Sequence, residues 1–180
     1  MLPSKKYRIA ACFSGQLRYW KNCVSNIKRF LNYKFPHPVT GQDIEVDYFA
    51  HTWDTNTWRL PKTDHSIFRE EKHSDITEFV NTYQPKLWHI DEWIPEQFPA
   101  AWDPMFYSFE YSILLKKEYE LQNDFRYDLV IKIRPDIIYN PNYKFPLTKI
   151  MPGICYTTTP IGKFSGEFNW NCFEIGRAHV

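Results

Sequence analysis

The chain has neither the G-x-G-x-x-G turn of dinucleotide folds nor the G-x-x-x-x-G-K-[ST] loop of P-loop kinases, so neither class is supported. It has no block of like charge: 22 basic residues stand against 21 acidic ones, a formal net charge of +1. No electrostatic footprint for nucleic acid or an anionic membrane is therefore present. The 4 cysteines, Cys12, Cys23, Cys155 and Cys172, form no C-x-x-C pair and no Cys/His set with zinc spacing, which leaves buried free thiols as the expectation. No run approaches the ~18 apolar residues of a membrane span. The apolar run after Lys5 and Lys6 covers only Ile9 to Phe13, shorter than the ~7 residues of a secretory signal. A cytoplasmic, reducing location is the resulting expectation, and no internal repeat or low-complexity segment is visible.

What is present reads as one globular domain. Hydrophobic residues make up 43% and charged residues 24%, an ordinary balance that argues against disorder. Aromatic residues reach 18%, including 7 Trp and 12 Tyr, which suits either a bulky core or a pocket that stacks rings and sugars. The last residues, Ile175 to Val180, back-translate as ATC GGA AGA GCA CAC GTC, which resembles a sequencing-library adapter read as codons. Residues 175–180 are therefore expected to be a non-native tail in which Arg177 and His179 carry no function. The expected domain is 1–174, incomplete at its C-terminus.

Alternation of strands and helices sets the fold class. "YRIAACFSG" is an apolar run closed by Ser14-Gly15, a buried strand, and Leu17, Trp20, Val24, Ile27 and Leu31 follow at helical spacing. Glu45 to Trp53 is a second strand, and the aperiodic polar stretch from Asp54 to His73 reads as a long surface loop. A short helix runs from Ser74 to Tyr83, with Ser74 or Asp75 as its cap. Lys86 to Ile90 is a third strand, and a loop passes Pro95, Pro99 and Pro104. Met105 to Asn123 is a long helix carrying Phe106, Phe109, Ile113 and Leu114, with Lys116, Lys117, Glu118 and Glu120 largely outside. "YDLVIKIR" and "GICYTTT", Gly153 to Thr159, complete five strands. This order predicts an α/β, Rossmann-like, mostly parallel sheet with helices on both faces.

In such sheets ligands bind beyond the carboxyl ends of the strands. After the first strand stand Ser14, Gly15, Gln16 and Arg18: small residues that let a backbone approach a ligand, a helix start, and a cation, together suited to phosphate or a base edge. The plainer reading is a tight turn with a surface arginine. After the second strand, His51 suits hydrogen bonding or proton transfer, Trp53 stacking, and Asp54 a hydroxyl; a structural histidine is the plainer reading. Arg134-Pro135-Asp136 ends the fourth strand. It is either a local ion pair in a turn, or a site where Asp136 holds Mg²⁺ or Mn²⁺ and Arg134 a diphosphate.

"RIAACFSGQLRYW", "DYFAHTWD", "FYSFEYSILLKKEYE" and "YDLVIKIRPDI", in this order, resemble a family of glycosyltransferase-like proteins of viruses and bacteria, often from surface-polysaccharide clusters. The resemblance spans Arg8 to Ile138. It implies a GT-A-like fold, a nucleotide-diphosphate sugar as donor, a glycan or other hydroxyl as acceptor, a Mn or Mg ion held by an Asp-x-Asp, and host cytoplasm if viral. Ser14, Gly15, Gln16, Arg18, His51, Asp54, Arg134 and Asp136 would then line the donor site. Arg134 stands where the first Asp of that pattern belongs, leaving Asp136 alone, and an arginine beside a diphosphate neutralises charge without a metal. No catalytic base is identified, so a non-catalytic carbohydrate- or nucleotide-binding module of the same fold stays as the alternative, with a sulfate- or phosphate-transferring enzyme behind it.

Overall fold

The computed structural model describes residues 6–32, 43–59, 68–72, 75–98 and 103–139. Strands β1 (Tyr7–Ser14), β2 (Ile44–Trp53), β5 (Leu87–Asp91) and β6 (Leu129–Ile133) form a sheet in the order β5-β2-β1-β6. Every pairing in it is parallel. Helices α1 (Trp20–Leu31) and α2 (Ile76–Tyr83) cover one face, and α3 (Asp103–Gln122) covers the other. The expected α/β, Rossmann-like architecture is therefore present. The alternation of β1 explains how one strand serves both layers: Ile9, Ala11 and Phe13 enter the core beneath α1 and α2, while Ala10 and Cys12 face α3. Phe13 sits at the centre of the first layer, 5.4 Å edge-on to Phe79 and 4.6 Å from Tyr83, and Trp20 adds a second edge contact to Phe79 at 5.3 Å.

Four expectations change. The stretch read as a long loop contains β3 (Thr55–Arg59), paired antiparallel with β4 (Phe68–Lys72). The two segments, TNTWR and FREEK, show no strict apolar/polar alternation, so the period-2 signal of a strand is missing from the sequence. Helix α1 begins at Trp20 rather than Leu17. Leu17 is buried and so fits the apolar pattern, but the chain turns through Tyr19, whose φ of 48° is left-handed. Pro104 belongs to the first turn of α3 rather than to the preceding loop, where its missing N–H is harmless. The fourth change is the largest, for α3 turns a different face to the sheet. Ser108, Ser112, Leu115, Lys116 and Glu120 are buried, whereas Phe106 and Leu114 are exposed.

Burial of Lys116 and Glu120 has a local cause. Lys116 Nζ lies 2.8 Å from Glu120 Oε2, and the other carboxylate oxygen accepts the Tyr127 N–H at 2.8 Å. Each charge thus has a partner, and the pair pins the helix end to the start of β6. Above it, burial raises the Cys12 thiol to about 12, with Lys116 opposing and Glu120 adding to the shift, so Cys12 is an inert core group. Cys12 and Cys23 are both buried and free. Ser74, Cys155, Cys172, the fifth strand at 153–159 and the tail at 175–180 lie outside the described residues. Among those residues, no helix is long and apolar enough to cross a membrane.

Lys116→Met leaves the buried Glu120 carboxylate only the longer Arg126 contact at 3.6 Å and the Tyr127 N–H, and is expected to cost about 3 kcal/mol in urea unfolding. The double variant Lys116→Met/Glu120→Gln keeps an acceptor for Tyr127 and recovers most of that loss. Equal losses in both variants would show that the pair is not the source.

Candidate functional site

All four strands of the sheet point the same way, so their carboxyl ends share one edge. Chain order moves outward from β1 to β2 and β5, then returns to the other side of β1 for β6. The order reverses between β1 and β6, where parallel sheets open a crevice. Ser14, Gly15, Gln16 and Arg18 leave β1 at that point, and Arg134 and Asp136 leave β6 beside them, Phe13 being in register with Ile133.

Each residue here is held by its own contacts. Gly15 adopts a φ of 108°, which side-chain-bearing residues rarely reach, and no atom lies within 4 Å of where its Cβ would be. Its N–H donates to Ser108 Oγ at 2.8 Å. Ser14 Oγ is buried and has no hydrogen-bond partner among the described residues. Arg18 donates through Nε to Gln16 Oε1 at 2.7 Å. Burial lowers the Arg18 guanidinium from its ordinary value; Asp136 offsets part of this and Arg134 adds to it, so the three charges sense one another. Helix α1 starts beside them with no side-chain cap and no acidic residue in its first turn. Its uncompensated N–H groups add positive potential.

Arg134 and Asp136 form the local ion pair that the plainer reading anticipated. Nε donates to Oδ1 at 3.0 Å and Nη2 to Oδ2 at 2.9 Å, a fork on both carboxylate oxygens. Tyr139 steadies the turn: its hydroxyl accepts the Arg134 N–H at 2.9 Å, and Asn26 of α1 grips its backbone at both N and O. The fork uses two of the five guanidinium N–H groups and leaves Nη1 clear of partners among the described residues. It does not suit a metal ion. A dication at Asp136 would lie against a fixed positive charge, and no group of three His, Cys, Asp or Glu among the described residues is arranged to hold one.

The second half of the edge belongs to β2 and β5. His51 is in register with Ser14 on one side and His89 on the other. It is fully buried, with Nδ1 2.9 Å from Ser108 Oγ and Nε2 3.0 Å from Asp91 Oδ2. A carboxylate only accepts, so Nε2 carries the proton and Nδ1 receives the Ser108 hydroxyl. Burial pushes His51 below the ordinary imidazole range, and the Asp91 contact only partly restores it, so the ring is neutral at pH 7. Asp91 also accepts from His89 Nε2 at 2.9 Å and from Tyr107. Burial pushes its carboxyl up, but His51, Tyr107 and His89 together outweigh that and hold it below the usual carboxylate range. Trp53, Tyr107, Tyr111, Trp93 and Phe98 enclose this cluster in aromatic rings. Asp54 turns aside: its Oδ1 accepts the Trp93 N–H at 2.8 Å and the Thr55 hydroxyl at 2.9 Å.

One edge thus carries all eight residues assigned to the donor site from the sequence, with Arg18, Arg134 and Asp136 gathered at β1/β6 and His51 and Asp54 engaged as supports after β2. Sequence reading missed Ser108, His89, Asp91 and Tyr107. The strand-end rule applied to "KLWHID" would have found His89 and Asp91; nothing local marks Ser108, a serine inside a helix. No protein-family model, curated protein or solved structure matches the chain.

Ser108→Ala leaves the Gly15 N–H and His51 Nδ1 without their partner and is expected to cost about 2–3 kcal/mol in chemical unfolding. His51, neutral when folded and depressed, favours the unfolded chain as pH falls below about 6.5, where that chain takes up a proton first. Stability should therefore be level above pH 7 and decline from pH 6.5 toward 5. A His51→Gln variant that keeps the same decline would assign it to another group.

Proposed function

We propose that this chain is a nucleotide-sugar-dependent glycosyltransferase domain that binds the donor diphosphate between β1 and β6 with arginines rather than with a metal ion. The observation that carries the reading is that Arg18 and Arg134 leave neighbouring strands β1 and β6, paired Phe13 with Ile133, at the order reversal of the sheet, with Gly15 and the uncapped start of α1 on the same turn. Among the described residues, Asp136 pairs with Arg134 while Arg18 donates to the neutral Gln16, so the guanidinium groups at these strand ends outnumber the carboxylate. Such a setting favours a dianion, and the likeness of the motifs to glycosyltransferase-like proteins supplies the substrate class.

The chemistry follows from what these groups do. Transfer breaks the bond between the anomeric carbon and the diphosphate oxygen, and negative charge grows on that oxygen. Arg134 Nη1, Arg18 and the α1 N–H groups meet that charge with fixed donors, and they do so better as it grows than in the intact donor. Ser14 Oγ and the left-handed Gly15 let the chain approach the phosphate closely. Asp136 orients the Arg134 fork instead of binding the donor.

Calorimetric titration with UDP and GDP in EDTA is expected to show binding, and Arg18→Ala or Arg134→Ala to weaken it about 10- to 100-fold, the worth of a charged hydrogen bond. Nucleotide release from UDP- and GDP-sugars should persist in EDTA. Absence of nucleotide binding would contradict the reading, and turnover abolished by EDTA would contradict the arginine mechanism.

A further inference from the structure

Transfer to a hydroxyl also needs a group that takes the hydroxyl proton, and the β2/β5 half of the edge holds three candidates. Asp91 accepts from His51, His89 and Tyr107, which stabilises its charge and makes it a weak base. His51 is fully buried with both ring nitrogens engaged, so it meets no substrate. His89 differs from both. Its side chain is 43% exposed, its Nε2–H is fixed on Asp91 Oδ1 at 2.9 Å, and its ring stacks on Tyr111 at 4.7 Å and 15°. Nδ1 has no partner among the described residues, and it carries the lone pair because Nε2 carries the proton.

We infer that His89 is the general base of the transfer, with Asp91 as the positioning residue that sets its tautomer; this rests on the glycosyltransferase reading. The dyad has the parts such a base requires: an accessible nitrogen, a carboxylate that stabilises the imidazolium once formed, and a ring held in one orientation. Its place on the edge fits too. Ser14, His51 and His89 are register neighbours on three adjacent strands, so His89 lies about 10 Å along the edge from Ser14. That spacing leaves room for one sugar between the diphosphate crevice and the acceptor. The acceptor O–H gives its proton to His89 Nδ1 as its oxygen bonds to the anomeric carbon. The anomeric C–O bond breaks toward the diphosphate, whose oxygen keeps the electron pair.

The two halves of the edge are also mechanically joined. Gly15 N–H donates to Ser108 Oγ, Ser108 donates to His51 Nδ1, and His51 and His89 both donate to Asp91. Among the described residues, the ionisable groups in contact with His89 are Asp91 on its own strand, His51 on β2 and Tyr111 on α3, with Tyr107 of α3 reaching Asp91 behind them. Asp91 is the carboxylate in contact with the ring, and it accepts the Nε2 proton.

The test uses full-length protein with UDP- and GDP-sugars and a mixed oligosaccharide acceptor. His89→Gln and His89→Gly should remain folded, the glycine variant with a lower melting temperature for want of the Asp91 hydrogen bond and the Tyr111 stack, and keep UDP or GDP affinity, yet lose about 100-fold or more in kcat together with the acidic limb of the pH–rate profile. Added imidazole should restore part of the His89→Gly rate, which a purely structural role would not allow. Asp91→Asn should shift that limb while donor affinity holds. Wild-type protein that neither binds nor turns over nucleotide sugars overturns the glycosyltransferase reading and the base with it. Wild-type turnover that survives His89→Gln within about twofold, or lacks imidazole rescue in His89→Gly, overturns the base alone.

Discussion

The carboxyl edge of the sheet depends on how one buried ring, His51, is satisfied. A neutral imidazole has one donor and one acceptor, and burial makes either one costly to leave unpaired. Ser108 answers the acceptor and Asp91 the donor, so the ring ties α3 to β5 through the middle of the sheet. Ser108 in turn takes the Gly15 N–H, which fixes the turn leaving β1. A single chain of hydrogen bonds thus sets the glycine turn, the helix and the last residue of β5 relative to one another. Its cooperativity explains why α3 presents small polar residues to the sheet at this end and a closed ion pair, Lys116 with Glu120, at the other.

That frame divides the edge by charge. The β1/β6 side holds Arg18 and Arg134 against Asp136, an imbalance that calls for an anion. The β2/β5 side holds Asp91 among two histidines and a tyrosine, an arrangement suited to moving a proton. A sugar-transfer reaction needs both abilities on one side of one substrate: stabilisation of a leaving diphosphate, and acceptance of a proton from the attacking hydroxyl. Under the proposed reaction, a substitution at the first half acts on affinity and one at the second on rate.

The parallel sheet was legible because its central strand β1 and its neighbour β6 are buried on both faces and read as apolar runs, while β2 and the partly exposed β5 follow in strand–helix alternation. The strand-end rule likewise led to Ser14, Gly15, Arg18 and Arg134. What escaped were features whose signal is not local. The buried face of α3 is largely polar, so periodicity pointed to Phe106 and Leu114, and it is their mutual ion pair and the Tyr127 N–H that make Lys116 and Glu120 buriable. Ser108 matters through residues 93 and 57 positions away in sequence, a relation that no short window contains. The β3/β4 ribbon escaped for another reason: TNTWR and FREEK carry no alternation for a period-2 reading to detect.

The central claim is that an anionic diphosphate lies in the β1/β6 crevice on arginine and backbone donors. A crystal structure of the protein grown with UDP or GDP in the presence of EDTA tests it most directly. The account predicts phosphate oxygens within hydrogen-bond distance of Arg134 Nη1 and Arg18, above Gly15 and the start of α1, with the Arg134 fork on Asp136 retained. A diphosphate bound elsewhere on the chain, or an Arg134 side chain swung away from a phosphate-free crevice in crystals that hold the nucleotide, would contradict it.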